Sequence, residues 1–403
     1  MSANGLLTEI ERVGADPVRG GYSRHVFGPA ELELREWFVA AARARGLDVH
    51  TDRNANLWAW WGEPGPDAVV TGSHLDSVPG GGAFDGPLGV VSALAAVDIL
   101  RGQGFSPSRP LAVVVFAEEE GGRFGVPCLG SRLLTGTLAP DRALALRDGA
   151  GDTFAEAARA CGFDPGRFGR DEEALGRIGT FVELHVEQGR GLVHLDAPIA
   201  VGSGIIPHGR WRFTFTGQGN HAGTTLLDDR RDPMLPAADL VSAARRLAAG
   251  VPDARATVGR LVPTPGGTNV IASRVDVWLD ARVPEPGSAR DLVAEIAEKA
   301  RAAAELEGCA VEVREESYEG AAAFDPALRD DLVTLLGDAP VLPTGAGHDA
   351  AVLAPFVPTA MLYVRNPSGI SHAPEEYAEP GDVDHGAREL ARVLARLAAG
   401  GNR

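Results

Sequence analysis

The stretch from Leu111 to Ala117 is almost wholly apolar or β-branched, and it runs without a break into Glu118-Glu119-Glu120. An apolar run of this kind reads as a strand covered on both faces, which implies a largely parallel sheet with helices packed against it. Three carboxylates at the exit of such a strand repel one another. A solvated charge run is the ordinary account of such a triplet, but a strand leaving a core is a poor place for one. A bound cation removes the conflict, with one carboxylate as ligand and another as proton carrier.

The same layout recurs along the chain. Asp67 to Ser73 reads as a buried strand that meets His74, and Thr180 to Val186 as another that carries His185. Between them, Ala30 to Arg45 and Leu88 to Leu100 have helical patterning. This alternation predicts an α/β domain, in which sites form beyond the carboxyl ends of the strands. Residues 207–318 follow another order: strand Trp211 to Thr216, helix Pro233 to Ala249, strands Ala256 to Val262 and Arg274 to Val283, helix Ser288 to Glu307, strand Ala310 to Glu315. That β-α-β-β-α-β succession is the ferredoxin-like split unit. It interrupts the α/β pattern, which resumes with a helix from Pro326 to Leu336 capped by Asp325, a strand from Thr359 to Val364 and a closing amphipathic helix from Asp382 to Ala399. The expected organisation is therefore a catalytic domain in two parts, 1–206 and 319–403, around an insertion at 207–318.

Several residues carry metal-binding chemistry. His74, Asp76 and Asp85 lie close together in a glycine-rich stretch. Imidazole and carboxylate are ordinary ligands of divalent metals. Asp76 is placed to accept the other ring N–H of His74; a loop histidine near a helix-capping aspartate reads equally well. His185 in Glu183-Leu184-His185 and His372 in Gly369-Ile370-Ser371-His372 are each, alone, ordinary structural histidines. Taken together with His74, Asp85 and the glutamate run, they suit zinc, manganese, cobalt or nickel better than calcium.

A formal net charge of −17 argues against nucleic acid or an anionic membrane as partner. It also requires local positive charge if the substrate is an anion. The three cysteines, Cys128, Cys161 and Cys309, support neither a disulfide framework nor a thiolate cluster, which suits a reducing cytoplasm. Met1 to Gly20 lacks the layout of a signal peptide.

The motifs, taken in order, resemble the hydantoinase/carbamoylase family of di-metal amidohydrolases, within the aminoacylase/carboxypeptidase superfamily. They are Gly72-Ser73-His74-Leu75-Asp76, Phe84-Asp85-Gly86, Glu119-Glu120-Gly121, Glu183-Leu184-His185 with Glu187-Gln188-Gly189, His221-Ala222-Gly223-Thr224-Thr225, Gly347-His348-Asp349-Ala350 and Gly369-Ile370-Ser371-His372. The resemblance covers nearly the whole chain. It implies cleavage of the C–N bond of an N-carbamoyl-L-amino acid or a related ureido acid such as allantoate, with two divalent metals per subunit. Asp85 would bridge the metals, with His74 and His185 on one side and Glu120 and His372 on the other. Glu119 would be the general base toward the attacking water. The insertion would mediate homodimerisation and send His221 to the partner's site to stabilise the oxyanion. Asn269 and Arg282 would bind the substrate carboxylate, with Gln188 as a further contact. Asp76 would support the ligands from behind. His348 has a functional reading and a structural hydrogen-bonding one. An aminoacylase or dipeptidase of the same superfamily, or an idle metal-binding relative, is the alternative. The chain departs from the family pattern at Gly219-Asn220 and Leu226-Leu227, which bear on the placement of His221, and over Arg365 to Ser368; the last two departures lie where substrate selection could be decided.

Overall fold

The computed structural model describes residues 1–399. The chain folds into two units. One comprises residues 1–204 and the segment from Ala323 onward; the other is 205–322.

The larger unit is built on a sheet of nine strands among the described residues. Five are introduced in chain order: β1 (Asp48–Thr51), β2 (Leu57–Trp61), β3 (Ala68–His74), β4 (Leu111–Phe116) and β5 (Ile178–Val186). The sheet order is β1-β2-β4-β3-β5, followed by the strand Thr359–Val364. β4, β3, β5 and Thr359–Val364 are mutually parallel, while β1 and β2 add an antiparallel edge. Every residue of β3, β4 and Thr359–Val364 is buried, as expected for strands with both faces covered. Val69, Leu111, Val113, Val115, Val182 and Leu184 join a core with the helices Pro29–Ala44, Pro87–Gly102 and Pro380–Ala398. Helix Pro87–Gly102 is apolar almost all round and buries twelve of its residues. A separate cluster around Phe27, Phe124, Phe154 and Phe168 lies beneath the segment that follows β4. Asp325 caps the helix Pro326–Leu335 by accepting from Leu328 N–H at 2.8 Å.

Three features escape the sequence reading. β2, Leu57-Trp58-Ala59-Trp60-Trp61, lacks alternation because four of its five residues are buried. The helix Ala3–Ile10 is short, and it packs through Ala3, Leu6 and Ile10. The strand Ile199–Ile205 pairs antiparallel with Thr359–Val364, so the sheet is mixed at both flanks.

The smaller unit has a four-stranded antiparallel sheet. Its order is Ala310–Glu319, His208–Thr216, Arg274–Arg282, Arg255–Thr264. Helices Met234–Ala248 and Ser288–Leu306 share its apolar core with Phe213, Phe215, Val275 and Val277. A two-stranded ribbon, Asn220–His221 against Val270–Ile271, completes it. Among the described residues, no helix is long and apolar enough to cross a membrane.

Candidate metal centre

The parallel register determines which residues meet. His74 ends β3, directly opposite Phe116 of β4, so Glu118 to Glu120 emerge just beyond it. His185 is the penultimate residue of β5, which flanks β3 on the other side. The loop after β3 turns back to place Asp85 immediately before the helix Pro87–Gly102. That turn passes very close to His74. Gly86 has φ +84°, and a Cβ there would strike the His74 ring. His372 arrives from the segment after Thr359–Val364, with φ +57°.

Asp85 stands at the centre of this group. Its Oδ1 lies 3.2 Å from His185 Nε2 and 3.6 Å from His74 Nε2. Its Oδ2 lies 3.4 Å from His372 Nε2, which is in turn 3.3 Å from Glu120 Oε2. Among the described residues, three groups could hold a metal ion: His74-Asp85-His185 and Asp85-Glu120-His372, which share one carboxylate, and Glu183-His185-His348 behind the first. Glu119 Oε2 approaches His74 Nε2 at 3.6 Å.

The ring orientations test whether a cation fits. The Nδ1 atoms of His74 and His185 face the carbonyl oxygens of Asp76 and Val186 at 3.0 and 2.9 Å. A carbonyl only accepts, so each Nδ1 carries a proton, and Nε2 is the ring atom left to face a cation. Both Nε2 atoms and Glu120 Oε1 are buried without a hydrogen-bond partner. Unpaired buried polar atoms are costly, and one divalent cation in each of the groups that share Asp85 would satisfy all three.

The charges lead to the same conclusion. Burial pushes His74 down, but Glu119, Asp85 and Asp76 outweigh it and hold the imidazole well above its ordinary value. Burial raises Glu119 and Glu120 well above the carboxylate range. Burial and nearby Asp76 lift Glu118 to about 8. Asp85 goes the other way: despite burial, His185 and His74 keep it well below the usual carboxylate range. Without metal, then, His74 and Glu120 favour their protonated forms, and a bound cation would displace those protons.

Asp76 acts differently from the sequence expectation. Its backbone oxygen, not its carboxylate, receives the His74 ring proton; the carboxylate lies 3.7 Å from that nitrogen. The carboxylate instead accepts the main-chain N–H groups of Glu119 and Glu120, each at 3.1 Å. The short reach from position 74 to 76 brings the carbonyl to the ring first and turns the side chain toward the neighbouring strand exit. Gln188 lies beside the centre and donates to Asp85 Oδ2 at 2.8 Å.

The other predicted site residues lie in the smaller unit. The ribbon pairs His221 with Val270, and Ala222 N–H donates to Asn269 C=O at 3.0 Å, so His221 and Asn269 are neighbours. Both are exposed. Gly223 N–H donates to His221 Nδ1 at 3.0 Å, which leaves the neutral ring's proton on Nε2. Arg282 is not brought to them within the chain. It ends the strand that Arg274 begins, about 26 Å of extended backbone away, and its guanidinium grips Asp280 at 2.8 and 3.1 Å.

The structure adds residues that the sequence reading passed over. Ser371 Oγ donates to Asp85 Oδ2 at 3.1 Å. Glu376 accepts from the main chain at Phe84 and Asp85. Behind His185, Glu183 accepts from Ser73 Oγ at 2.7 Å and from Ala350 N–H at 3.2 Å. Strand alternation could have flagged Glu183, two residues before a ligand and on the same face. No spacing rule links Glu376 to a loop almost three hundred residues earlier. His348 is buried and edge-on to His185, with ring centroids 4.5 Å apart, and burial holds its pKa well below the ordinary value.

Comparison with known proteins accords with this geometry. A family model described as peptidase family M20/M25/M40 matches residues 70–396. The chain is 36% identical over 408 residues to an N-carbamoyl-L-amino acid amidohydrolase of Geobacillus stearothermophilus, covering 98% of this chain and 97% of that one. It is 33% identical over 403 residues to an allantoate amidohydrolase of Escherichia coli (strain K12), covering 97% and 96% respectively. A crystal structure of an amidase of the hydantoinase/carbamoylase family from Burkholderia vietnamiensis superposes with a TM-score of 0.86 at 30% identity, over 98% of this chain and 97% of that one.

Proposed function

Since this chain belongs to peptidase family M20/M25/M40, we propose that it is a metal-dependent amidohydrolase that cleaves the C–N bond of an N-carbamoyl-L-amino acid or a related ureido acid such as allantoate. One observation carries the reading: the two oxygens of Asp85 face two separate groups of candidate ligands, and the buried histidine nitrogens aimed at Oδ1 make no hydrogen bond. The family implies divalent metal, and the residues suit two ions. His74, His185 and Asp85 would hold one; Asp85, Glu120 and His372 would hold the other. Zinc, manganese, cobalt and nickel all match imidazole–carboxylate sites. When bound, such ions supply Lewis acidity toward the substrate carbonyl and the attacking water.

The chain's own residues do the rest. Glu119 stands beside His74, buried, with its backbone held by Asp76. It takes the proton of the attacking water and passes it to the leaving nitrogen. Asp76, Gln188 and Ser371 hold the carboxylates and the Glu119–Glu120 backbone in place. His221 presents an Nε2–H donor, the tautomer needed to stabilise a tetrahedral oxyanion. Asn269 and Arg282 bind the substrate carboxylate, the arginine bidentately. Arg282 and the two cations supply the positive charge that an acidic protein needs for an anionic substrate. The exposure of His221, and the place of Arg282 at the far end of the strand that Arg274 begins, support a site completed by a second copy, with the smaller unit pairing the homodimer.

The test is hydrolysis of a panel of N-carbamoyl amino acids, allantoate and N-acyl amino acids, read as ammonia for the ureido compounds and as free amino acid for the N-acyl ones, with manganese, zinc and cobalt supplied separately. Metal-dependent ammonia from ureido substrates supports the reading. Hydrolysis of the N-acyl compounds alone would assign the chain to the aminoacylase side. Tight metal binding with no turnover in any arm would mark an idle relative.

A further inference from the structure

We propose that Glu376 is a positioning residue: its carboxylate clamps the backbone that carries Asp85 and so holds the Asp85 carboxylate in register between its two ligand sets. The inference rests on the reading of Asp85 as a metal ligand and deepens it.

Glu376 Oε1 accepts the main-chain N–H groups of Phe84 and Asp85, both at 2.9 Å. Only 4% of the residue is exposed. Burying a carboxylate costs several kcal/mol unless charge-assisted hydrogen bonds offset it. Here that burial is committed to the two peptide groups that aim the central ligand. The glycine run explains how the side chain gets so close. A Cβ on Gly82 would collide with the Glu376 side chain from Cβ to carboxylate, although Gly82 has no positive φ that would itself demand glycine. The requirement at position 82 therefore comes from Glu376.

The same short segment touches the Asp85 loop repeatedly. Ser371 Oγ donates to Asp85 Oδ2 at 3.1 Å, and His372 Nε2 lies 3.4 Å from that oxygen. Tyr377 packs edge-on to Phe84, with centroids 6.2 Å apart. One end of the segment brings a ligand and the other fixes the peptide of the ligand it must share a cation with. A small rotation of the Asp85 backbone would swing its oxygens away from both sets at once.

The experiment is calorimetric binding of Mn²⁺ to metal-stripped full-length protein, read beside the thermal midpoint of the metal-free form. Variants are Glu376→Ala, Glu376→Gln, Glu376→Gly, Gly82→Ala and the double variant Gly82→Ala with Glu376→Gly. Glu376→Ala should weaken Mn²⁺ binding about 10–100-fold, the range for losing a group that orients a ligand. Glu376→Gln keeps an acceptor oxygen and should recover most of that loss. Gly82→Ala should weaken binding by displacing the carboxylate, and it should add nothing once Glu376 is glycine, which removes the Cβ it would strike as well as the carboxylate. A purely structural role would lower the midpoint and leave Mn²⁺ affinity unchanged. Wild-type affinity in Glu376→Ala, a Gln variant as poor as Ala, or additive losses in the double variant would overturn the proposal. If Glu376→Ala does not fold, the comparison of Gly82→Ala with Glu376→Gln decides it: weakening in the first and not the second supports the clamp, and wild-type affinity in Gly82→Ala overturns it. Asp85→Ala separates the two readings. If it binds Mn²⁺ like wild type, the metal reading of Asp85 fails; if it loses binding while Glu376→Ala does not, only the clamp fails.

Discussion

Replacing Glu119 with glutamine is the sharpest probe of the catalytic reading. The substitution keeps side-chain size and removes only the ability to carry a proton. The surrounding backbone is held by contacts that the change leaves alone. Glu119 N–H donates to Asp76 Oδ1 at 3.1 Å, and Glu119 C=O accepts from Cys128 N–H at 2.7 Å. Metal content and melting temperature should therefore stay close to wild type. Turnover should fall about 10²–10⁴-fold, the usual worth of a positioned general base, or about 3–5 kcal/mol of barrier. The pH profile adds a second readout. The base works only when ionised, and burial raises Glu119 above its ordinary 4.5 even though His74 pulls the other way. Wild-type kcat/KM should thus decline as pH falls through the titration of Glu119. The residual rate of the Gln variant should lack that limb. The assay is ammonia release across pH, with metal content measured on the same samples. A fully metal-loaded Glu119→Gln enzyme within about threefold of wild type would refute the role, since a general base contributes at least about 10²-fold.

Other consequences can be measured. Asp85→Ala should abolish high-affinity binding at both ligand sets, because each uses one of its oxygens; metal analysis after dialysis should show the loss, and two retained ions would contradict the bridge. Mixing inactive His221→Ala with inactive Glu119→Gln chains should restore part of the activity if sites are shared between subunits, and rates no better than the parents would argue against sharing. In the smaller unit, burial pushes Asp276 up, but hydrogen bonds from Arg274, Thr214 and Arg212 outweigh it and hold its carboxyl at about 2 against an ordinary 3.8. Its contribution to stability is complete above about pH 4 and fades as pH falls toward 2. Denaturant melts of Asp276→Asn and wild type should therefore differ near neutrality and converge in acid; a constant gap would refute this account.

Much of the protein is legible along the chain. The apolar run Leu111 to Ala117 announces a buried parallel strand because no polar alternation interrupts it, Thr180 to Val186 reads as another, and His74, Glu118 to Glu120 and His185 mark the carboxyl ends. The β-α-β-β-α-β succession likewise predicts the antiparallel sheet of the smaller unit, since each element carries its own period. These are local properties, and side-chain periodicity records them. Partner identity is a different matter. That the backbone oxygen of Asp76, not its carboxylate, orients His74 depends on how two residues turn at a strand end. That Gln188 reaches Asp85, that Arg282 grips Asp280, and that Glu376 holds the peptide of Asp85 from far along the chain depends on packing between segments with no shared period. The sequence by itself determined the chemistry available at the strand ends, because residue type and alternation are written in order. Only the tertiary structure decided which atoms face which, because a hydrogen bond needs its partners within about 3 Å, and only the folded chain sets that distance.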